Sequence, residues 1–260
     1  MSRQAVVIGW PIAHSKSPAM ITAALAAMGI DAFMSALVVP PEGLADALAV
    51  FRDQDALGAS VTIPHKEAVL ALVDEVALDA RAIGAANCLQ FTDGKIIAHN
   101  TDAGGFADSL GFTPHRAVVL GAGGAARAVA YGLRKAHVDV VARRPASWTA
   151  SHAWSELPDL LASADLLVDC TSAGLEPHTD DELAASVPVE RLPSSATVAT
   201  LIYHRKTRLL ERATALGYSM LDGRGMLVHQ GARALTIWTG LPAPIDVMSR
   251  ALDDSLVKNE

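Results

Sequence analysis

Two patterns of apolar positions, continuous runs and helical spacing, divide the chain into predicted strands and helices. Short runs that are apolar throughout, such as residues 5–9 (AVVIG) and 117–121 (AVVLG), are typical of buried strands. Between such runs, apolar residues recur at the spacing of one helix face, as Leu44, Leu48 and Phe51 do. Because strands separated by helix-length segments form βαβ units, the pattern predicts an α/β protein with a mainly parallel sheet.

The first part of the chain adds capping and turn signals to these patterns. Ser17 is predicted to cap a helix that has Pro18 at its first position and is closed by Gly29. The tripeptide Thr92-Asp93-Gly94 predicts a hairpin turn. Further strands are predicted at residues 32–39, 59–63, 87–91 and 95–100.

The segment after Pro64 is predicted to be a helix. Val69, Leu72, Val73 and Val76 trace an apolar stripe, which would put Lys66 in the first turn of that helix. A cation there meets the positive end of the helix dipole, at a cost of roughly 0.3–1 kcal/mol. The same field favours the neutral amine and so a proton-transfer role, with a solvated surface lysine as the alternative.

A second and more regular series begins near Phe112. Its predicted strands are residues 117–121, 138–144, 164–172 and 196–203. Two helical patterns, one in residues 226–240 and one after Pro244, complete the chain.

Composition and charge narrow the function classes. Hydrophobic residues make up 51% of the 260 residues and charged residues 19%, as expected for an ordered chain. A net charge of −7 and an aromatic content of 5% argue against a nucleic-acid partner. No apolar run is long enough to span a membrane, and no targeting segment is recognised, so no membrane partner is expected.

Cysteine and histidine usage points to a reduced protein without a metal. The two cysteines, Cys88 and Cys170, are far apart and form no CxxC pair, so they are expected to be free thiols of a cytoplasmic protein. The nine histidines show no spacing typical of metal ligands. No metal site is expected.

A glycine-rich loop joins a predicted strand directly to a predicted helix. It has the form GxGxxA and consists of Gly121, Ala122, Gly123, Gly124, Ala125 and Ala126. Gly121 allows the tight turn, Gly123 lets a pyrophosphate approach the backbone, and Ala126 allows close packing of helix on strand. The phosphate would then lie at the helix N-terminus, so the loop predicts dinucleotide binding.

The end of the following strand indicates which dinucleotide is bound. An NAD-binding protein of this kind has an acid there for the ribose 2′-hydroxyl, but Asp139 lies near the start of the predicted strand. Arg143 and Arg144 occupy its tip, and two guanidinium groups suit a 2′-phosphate. NADP(H) is therefore the expected cofactor, with a solvated arginine pair as the alternative.

Four further polar positions allow both a structural and a chemical interpretation. Asp102 follows a predicted hairpin strand, where it could be a helix cap or a carboxylate that pairs with Lys66. Asn87 stands where a strand begins and offers two donors and an acceptor. Ser15 and Ser17 would place two hydroxyl groups at a helix N-terminus, which suits an anion.

These stretches together resemble the shikimate dehydrogenase family. The resembling blocks are GWPIAHSKSP (9–18), GASVTIPHKE (58–67), GAANCL (84–89), HNTDAGG (99–105), GAGGAARAV (121–129), DCTSAG (169–174) and DGRGMLVHQGA (222–232). The resemblance implies a substrate domain of residues 1–102 with 226–260 and a Rossmann-type NADP domain of residues 103–225. The active site is expected in the cleft between them.

The family reaction is the reversible reduction of 3-dehydroshikimate to shikimate by NADPH. By resemblance, Lys66 is the acid/base group and pairs with Asp102, which also binds ring hydroxyls, while Ser15 and Ser17 hold the substrate carboxylate. Lys16 is expected to be solvated, and His14 to shape the turn. Further implied substrate contacts are Thr62, Asn87, Tyr203 and Gln230. Residues implied to border the nicotinamide are Thr171, Ser172 and Gly174.

The chain also departs from the family pattern at several positions. Ile21 and Thr22 replace a His-Asn pair, Cys88 a Thr, Ala103 a Gly and Thr200 an Asp, and residues 203–207 look about one residue short. These departures leave open a paralogue that acts on quinate, an amino-shikimate or a related cyclic hydroxy acid.

A non-catalytic NADP-binding regulatory module is a further alternative. The arginines at 143 and 144 argue against an NAD-preferring quinate enzyme, and Lys66 with Asp102 argues against the module.

The family contains monomers and dimers, so a monomer and a homodimer both stay open.

Overall fold

The chain folds into two compact units, residues 1–105 with 227–260 (the first unit) and residues 106–226 (the second unit). The structure is a computed structural model that describes residues 3–13 and 15–257. The strands are β1 Arg3–Gly9, β2 Ala32–Val38, β3 Gly58–Val61, β4 Glu75–Val76, β5 Cys88–Thr92, β6 Lys95–His99, β7 Arg116–Leu120, β8 His137–Val141, β9 Leu166–Asp169, β10 Thr197–Thr200 and β11 Ser219–Leu221. The helices are α1 Ser17–Ala27, α2 Leu44–Asp53, α3 Leu78–Ile83, α4 Asp102–Ser109, α5 Gly124–Gly132, α6 Leu157–Leu161, α7 Pro177–Ser186, α8 Arg208–Ala215, α9 Gly223–Thr239 and α10 Ile245–Val257.

The first unit contains a six-stranded mixed sheet in the order β2-β1-β3-β5-β6-β4. Strand β1 is parallel to β2 and β3, whereas β5 is antiparallel to β3 and β6. Asp93 (φ 50°) and Gly94 (φ 72°) make the tight turn between β5 and β6, which confirms the predicted hairpin. Both residues are in the left-handed region that such a turn requires.

The C-terminal helices pack on the N-terminal part of the first unit. Leu25 of α1 and Met248 of α10 are fully buried in one apolar core. Trp238 of α9 donates its Nε1 hydrogen to the carbonyl of Leu89 at 2.9 Å. Gly58 of β3 faces the Trp238 ring and leaves no room for a side chain there.

Two local predictions in this unit are wrong. Helix α1 begins at Ser17 itself, with Lys16 at the N-cap position and no side-chain cap, so Ser17 is not the cap. The segment after Pro64 forms only a 3-10 turn, Ala68–Ala71, followed by strand β4. Pairing of Glu75 and Val76 with β6 keeps the chain extended there and overrides the helical spacing of the valines.

The second unit contains a five-stranded parallel sheet in the order β11-β10-β9-β7-β8. Its apolar runs are buried as predicted, with Leu120, Leu167 and Val198 fully covered. Strand β7 lies between β8 and β9, so the chain turns to one side of β7 first and to the other side afterwards. The carboxyl ends of β7 and β9 therefore border a topological switch point, where α/β sheets bind ligands.

The α/β prediction is confirmed by these two sheets. Among residues 3–13 and 15–257, no helix has the length and apolar character needed to cross a membrane.

Candidate active site

Asp102 is the centre of a hydrogen-bonded cluster in the first unit. It begins α4, is 4% exposed, and directs its two carboxylate oxygens to different donors. Lys66 Nζ lies 2.7 Å from Oδ2, and Asn87 Nδ2 donates to Oδ1 at 2.8 Å. A buried charge needs such partners, and here a cation and an amide supply them.

Asn87 connects this carboxylate to two further side chains. Its Oδ1 accepts the backbone N–H of Thr101 at 2.7 Å. Its Nδ2 also lies 2.9 Å from Thr101 Oγ1 and 3.2 Å from Gln230 Oε1. Both ends of the amide are thus used, and the orientation of Asn87 is strongly determined. Sequence reasoning did not single out Thr101, whose only signal is its position directly before Asp102.

Lys66 is held by backbone contacts on both sides and not by a helix. Its carbonyl accepts the N–H of Ala86 at 2.8 Å, and buried His65 bonds through Nε2 to the carbonyl of Val39 at 2.7 Å. The short 3-10 turn that follows is no long helix, so the expected dipole effect on the amine loses its basis. The Lys66 side chain is 20% exposed and remains partly open to solvent.

Ser15 and Ser17 lie together at the start of α1. The backbone N–H of Ser17 donates to Ser15 Oγ at 3.4 Å, and Ser17 is buried. Lys16 donates from Nζ to the carbonyl of Ser255 at 2.9 Å, near the C-terminal end of α10, where a cation is favoured. The expectation that Lys16 is solvated is therefore wrong. His14 lies outside the described residues.

Thr62 follows β3 and lies against the end of β1. Its N–H donates to the carbonyl of Ile8 at 2.9 Å, and its carbonyl accepts the N–H of His65 at 2.9 Å. A Cβ at Gly9 would lie 2.5 Å from Thr62 Cγ2. Glycine at position 9 thus allows the close approach that carries the chain from β3 into the turn with Lys66.

Four of the residues that depart from the family pattern lie in the first unit, where they pack or hydrogen-bond. Ile21 is 1% exposed in the apolar core, and Thr22 Oγ1 accepts a backbone N–H of β2 at 3.0 Å. Burial raises the pKa of the Cys88 thiol well above its usual range, which makes it a poor nucleophile. The N–H of Ala103 donates to Asn100 Oδ1 at 3.2 Å, so Asn100 satisfies a free donor at the start of α4.

The glycine-rich loop of the second unit lies at the switch point of the parallel sheet. Gly121 has a φ of 107°, and a Cβ there would lie 3.2 Å from the carbonyl oxygen of Cys170. Gly123 is exposed at the N-cap of α5, and a Cβ there would meet no atom within 4 Å. Ala126 is fully buried against the sheet. The loop therefore leaves open space where α5 presents its first N–H groups, as a phosphate site requires.

Of the remaining loop residues, Ala122 is held by a hydrogen bond from outside the loop. Ala122 accepts the Nε1 hydrogen of Trp148 at 2.8 Å through its carbonyl. Gly124 and Ala125 form the first turn of α5 and are half-buried.

Arg143 and Arg144 follow β8 and are both exposed. Arg143 lines a cavity of about 320 Å³ together with Ser151, His152 and Trp154. An arginine, a serine, a histidine and a tryptophan thus border one hollow beside the end of β8. Sequence reasoning did not mark the residues after Pro145, because their contribution depends on the return of the chain to β8.

Asp139 lies in the middle of β8 and is engaged within the second unit. Its carboxylate lies 2.8 Å from Arg116 Nη2 and 3.2 Å from His137 Nε2. It is 5% exposed, so it forms part of an internal ion pair. The neighbouring His152 hydrogen-bonds to Glu156, which raises the pKa of His152.

The carboxyl end of β9 carries a buried acid that the sequence analysis did not single out. Asp169 Oδ1 accepts the N–H of Thr171 at 2.9 Å, and Thr171 Oγ1 accepts the N–H of Ala173 at 3.2 Å. Burial raises the pKa of Asp169 to about 6, and its Oδ2 has no hydrogen-bond partner among the described residues. Ser172 is exposed, and Gly174 is buried in the turn that follows.

Tyr203 lies on the segment between β10 and α8. Its ring meets that of His204 edge to face, with centroids 5.7 Å apart. It belongs to the second unit, whereas Ser15, Ser17, Thr62, Asn87 and Gln230 belong to the first. Within the first unit, the hydrogen bonds described above bring together Lys66, Asp102, Asn87 and Gln230.

The two units contain different functional features. A glycine-rich turn at the switch point of a parallel sheet defines a dinucleotide-binding domain. A lysine paired with a buried carboxylate is a candidate acid/base group. The chain is thus of the class of two-domain α/β dinucleotide-dependent oxidoreductases.

Comparisons with known proteins identify the family within this class. The family model for the shikimate dehydrogenase substrate binding domain matches residues 7–89 of the sequence. The family model for the shikimate 5′-dehydrogenase C-terminal domain matches residues 223–252. The chain belongs to the shikimate dehydrogenase family.

Relatives resemble the chain over nearly its whole length. It is 42% identical to shikimate dehydrogenase (NADP(+)) of Symbiobacterium thermophilum, over 94% of this chain and 92% of the relative. It is 40% identical to shikimate dehydrogenase (NADP(+)) of Methanopyrus kandleri, over 96% and 94%. The structure of shikimate 5-dehydrogenase from Thermus thermophilus in complex with NADP(H) and shikimate superposes with a TM-score of 0.86, at 36% identity and 97% and 99% coverage.

Proposed function

We propose that this protein catalyses the reversible reduction of 3-dehydroshikimate to shikimate with NADPH. The observation that carries the proposal is the pairing of Lys66 with the buried, Asn87-bonded carboxylate of Asp102, at 2.7 Å. An acid/base group and an acceptor for ring hydroxyls are thereby joined. Relatives named shikimate dehydrogenase (NADP(+)) over almost the full chain support the same reaction.

The residues of the second unit fit NADPH. The open space at Gly123 and the first N–H groups of α5 suit the pyrophosphate, and the exposed guanidinium groups of Arg143 and Arg144 suit the 2′-phosphate. The loop Gly121, Ala122, Gly123, Gly124, Ala125 and Ala126 would hold the pyrophosphate, and Thr171, Ser172 and Gly174 would border the nicotinamide. When bound, NADPH supplies the hydride for the carbonyl carbon.

Lys66 supplies the proton in the proposed reaction. The ammonium group donates a proton to the alkoxide that develops as the carbonyl is reduced, and the reverse reaction returns it. Asp102 holds the amine in place through Oδ2, while Asn87 fixes the carboxylate through Oδ1. Preorganised charge of this kind stabilises the developing oxyanion without later rearrangement.

The substrate is proposed to be bound by hydroxyl, amide and carboxylate groups. Asp102, Asn87, Thr62 and Gln230 are proposed to contact the ring hydroxyls, and Ser15 and Ser17 the carboxylate. Hydroxyl groups at the start of α1 can bind an anion without a buried cation. Tyr203 is proposed as a further carboxylate contact.

Each unit is assigned one role in this proposal. The first unit serves as the substrate domain and the second as the NADP domain. The protein is assigned to the cytoplasm, which agrees with two free cysteines. It would act as a monomer or homodimer on a small-molecule substrate.

A steady-state absorbance assay at about 340 nm tests the proposal. Shikimate and quinate are each paired with NADP and with NAD, which yields four values of kcat/KM. We expect shikimate with NADP to exceed the other pairs. A higher value with quinate, or turnover with none of the pairs while NADPH still binds, would contradict the proposed reaction.

A further inference from the structure

Arg205, on the segment from Tyr203 to Thr207, links that segment to two other parts of the second unit. Arg205 Nη1 donates to Asp180 Oδ2 at 2.8 Å, and Arg205 Nη2 donates to the carbonyl of Gly174 at 2.6 Å. The arginine side chain is 30% exposed, whereas that of Asp180 is 1% exposed. One guanidinium thus connects a buried carboxylate to the backbone of another loop.

Asp180 connects a third segment to the same point. It lies in the first turn of α7, and its Oδ2 also accepts the backbone N–H of Arg208 at 3.0 Å, where α8 begins. The carboxylate therefore holds the start of α8 and the Arg205 side chain together. Such charge-assisted bonds are the stronger ones in proteins, and a buried acid held by two donors has little freedom to move.

The loop that receives the second Arg205 hydrogen bond is the one proposed to border the nicotinamide. A Cβ at Gly174 would lie 2.9 Å from Ile202 Cγ1 and 3.1 Å from Thr207 Cγ2, so this loop packs directly against both residues. Thr179 Oγ1 donates to the carbonyl of Ala173 at 2.7 Å. Two consecutive carbonyls of the loop thus accept side-chain hydrogen bonds, while Ser172 is exposed.

We propose that Arg205 and Asp180 form a clamp that positions the loop of residues 171–174 for the nicotinamide half of NADPH. The proposal rests on the proposed function of this loop. The guanidinium group of Arg205 connects the segment from Tyr203 to Thr207 to the backbone of this loop. Arg205 is therefore a positioning residue, and its effect on the reaction passes through Gly174.

The clamp is tested with Arg205→Ala and two ligands of different length. NADPH reaches the loop, whereas 2′,5′-ADP contains only the adenosine half. We expect Arg205→Ala to weaken NADPH about 10-fold and to lower kcat/KM by ~10–100-fold, because small displacements of reacting groups are costly. The Kd of 2′,5′-ADP should stay within about 2-fold, since the arginine acts at the other half of the ligand.

Arg212→Ala is the matched control. Arg212 is 35% exposed, lies in the same unit, and likewise donates to backbone carbonyls (Ala184 and Val187) and to a carboxylate (Glu190). It should leave the Kd of NADPH unchanged even if it lowers the melting temperature as much as Arg205→Ala does. Arg205→Lys keeps the charge but lacks the planar guanidinium group that donates to two acceptors at once. It should therefore bind NADPH more tightly than Arg205→Ala and more weakly than wild type.

Three outcomes would overturn the proposal. These are unchanged NADPH binding and turnover in Arg205→Ala, equal losses for NADPH and 2′,5′-ADP, and an equal loss of NADPH affinity in Arg212→Ala. The binding measurements need no substrate. If the wild-type chain binds NADPH but does not oxidise shikimate, the proposed reaction fails while the clamp is still judged by the two Kd values.

Discussion

Replacement of Asp169 by Asn should make the protein more stable relative to wild type as the pH rises. The asparagine keeps Oδ1 as an acceptor for the N–H of Thr171 and has nearly the same shape. It removes a carboxyl group that is 1% exposed and whose Oδ2 has no hydrogen-bond partner among the described residues. The variant therefore tests how much a buried, half-satisfied charge costs at the carboxyl end of β9.

The magnitude follows from the titration of this group. Burial, with a smaller contribution from the charge of Asp180, raises the pKa of Asp169 from 3.8 to about 6. One pKa unit corresponds to about 1.4 kcal/mol. The free energy of unfolding is therefore about 3 kcal/mol higher when Asp169 is protonated than when it is ionised. The folded protein binds the proton more tightly. This stabilisation is complete below pH 3.8 and is lost as the pH rises through about 6.

Urea unfolding at several pH values measures the effect. Between about pH 4.5 and 8, the free energy of unfolding of the variant should rise by about 2 kcal/mol relative to wild type. Asp159→Asn, at an exposed aspartate of α6 in the same unit, is the control and should not reproduce the trend. A difference that stays constant with pH, or that falls as pH rises, would refute the reasoning that Asp169 is a costly buried acid.

Three other substitutions test separate parts of the proposed site. Lys66→Ala should lower turnover by on the order of 10²–10⁴-fold and leave the affinity for NADPH nearly unchanged. Steady-state kinetics and a binding titration measure the two quantities, and only a small loss of turnover would contradict the acid/base role. Arg143→Ala combined with Arg144→Ala should weaken NADPH far more than NADH, and equal losses would mean that these residues do not recognise the 2′-phosphate. Gly121→Ala should lower the free energy of unfolding by ~1–3 kcal/mol, because a side chain is strained at a φ of 107°; an unchanged urea midpoint would argue against that strain.

Much of the fold could be predicted because local patterns and the tertiary structure agree. The runs at residues 117–120 and 166–168 are apolar throughout, and parallel strands buried on both faces require this. The hairpin at Asp93 and Gly94 follows from the backbone conformations that these residues tolerate. The failure after Pro64 has the opposite cause: valines at helical spacing also suit a strand, and pairing of β4 with β6 decided between the two.

The residue types of the candidate site could be read from the sequence, but their hydrogen bonds could not. Lys66 and Asp102 were expected to pair, yet only the fold shows that Asn87 occupies the second carboxylate oxygen and that Lys16 bonds to Ser255. Lys66 was assigned to a helix that does not exist, so the local argument for its chemistry was wrong even though the pair is formed.

The sequence by itself determined the family, the α/β class and the glycine-rich loop, because these depend on short runs of neighbouring residues. Only the tertiary structure decided the environment of Asp169 and the clamp formed by Asp180 and Arg205. Burial of a carboxylate and its contact with an arginine 25 positions away depend on how distant segments meet. No periodicity or spacing in the sequence predicts these contacts, because they arise from packing of the whole unit.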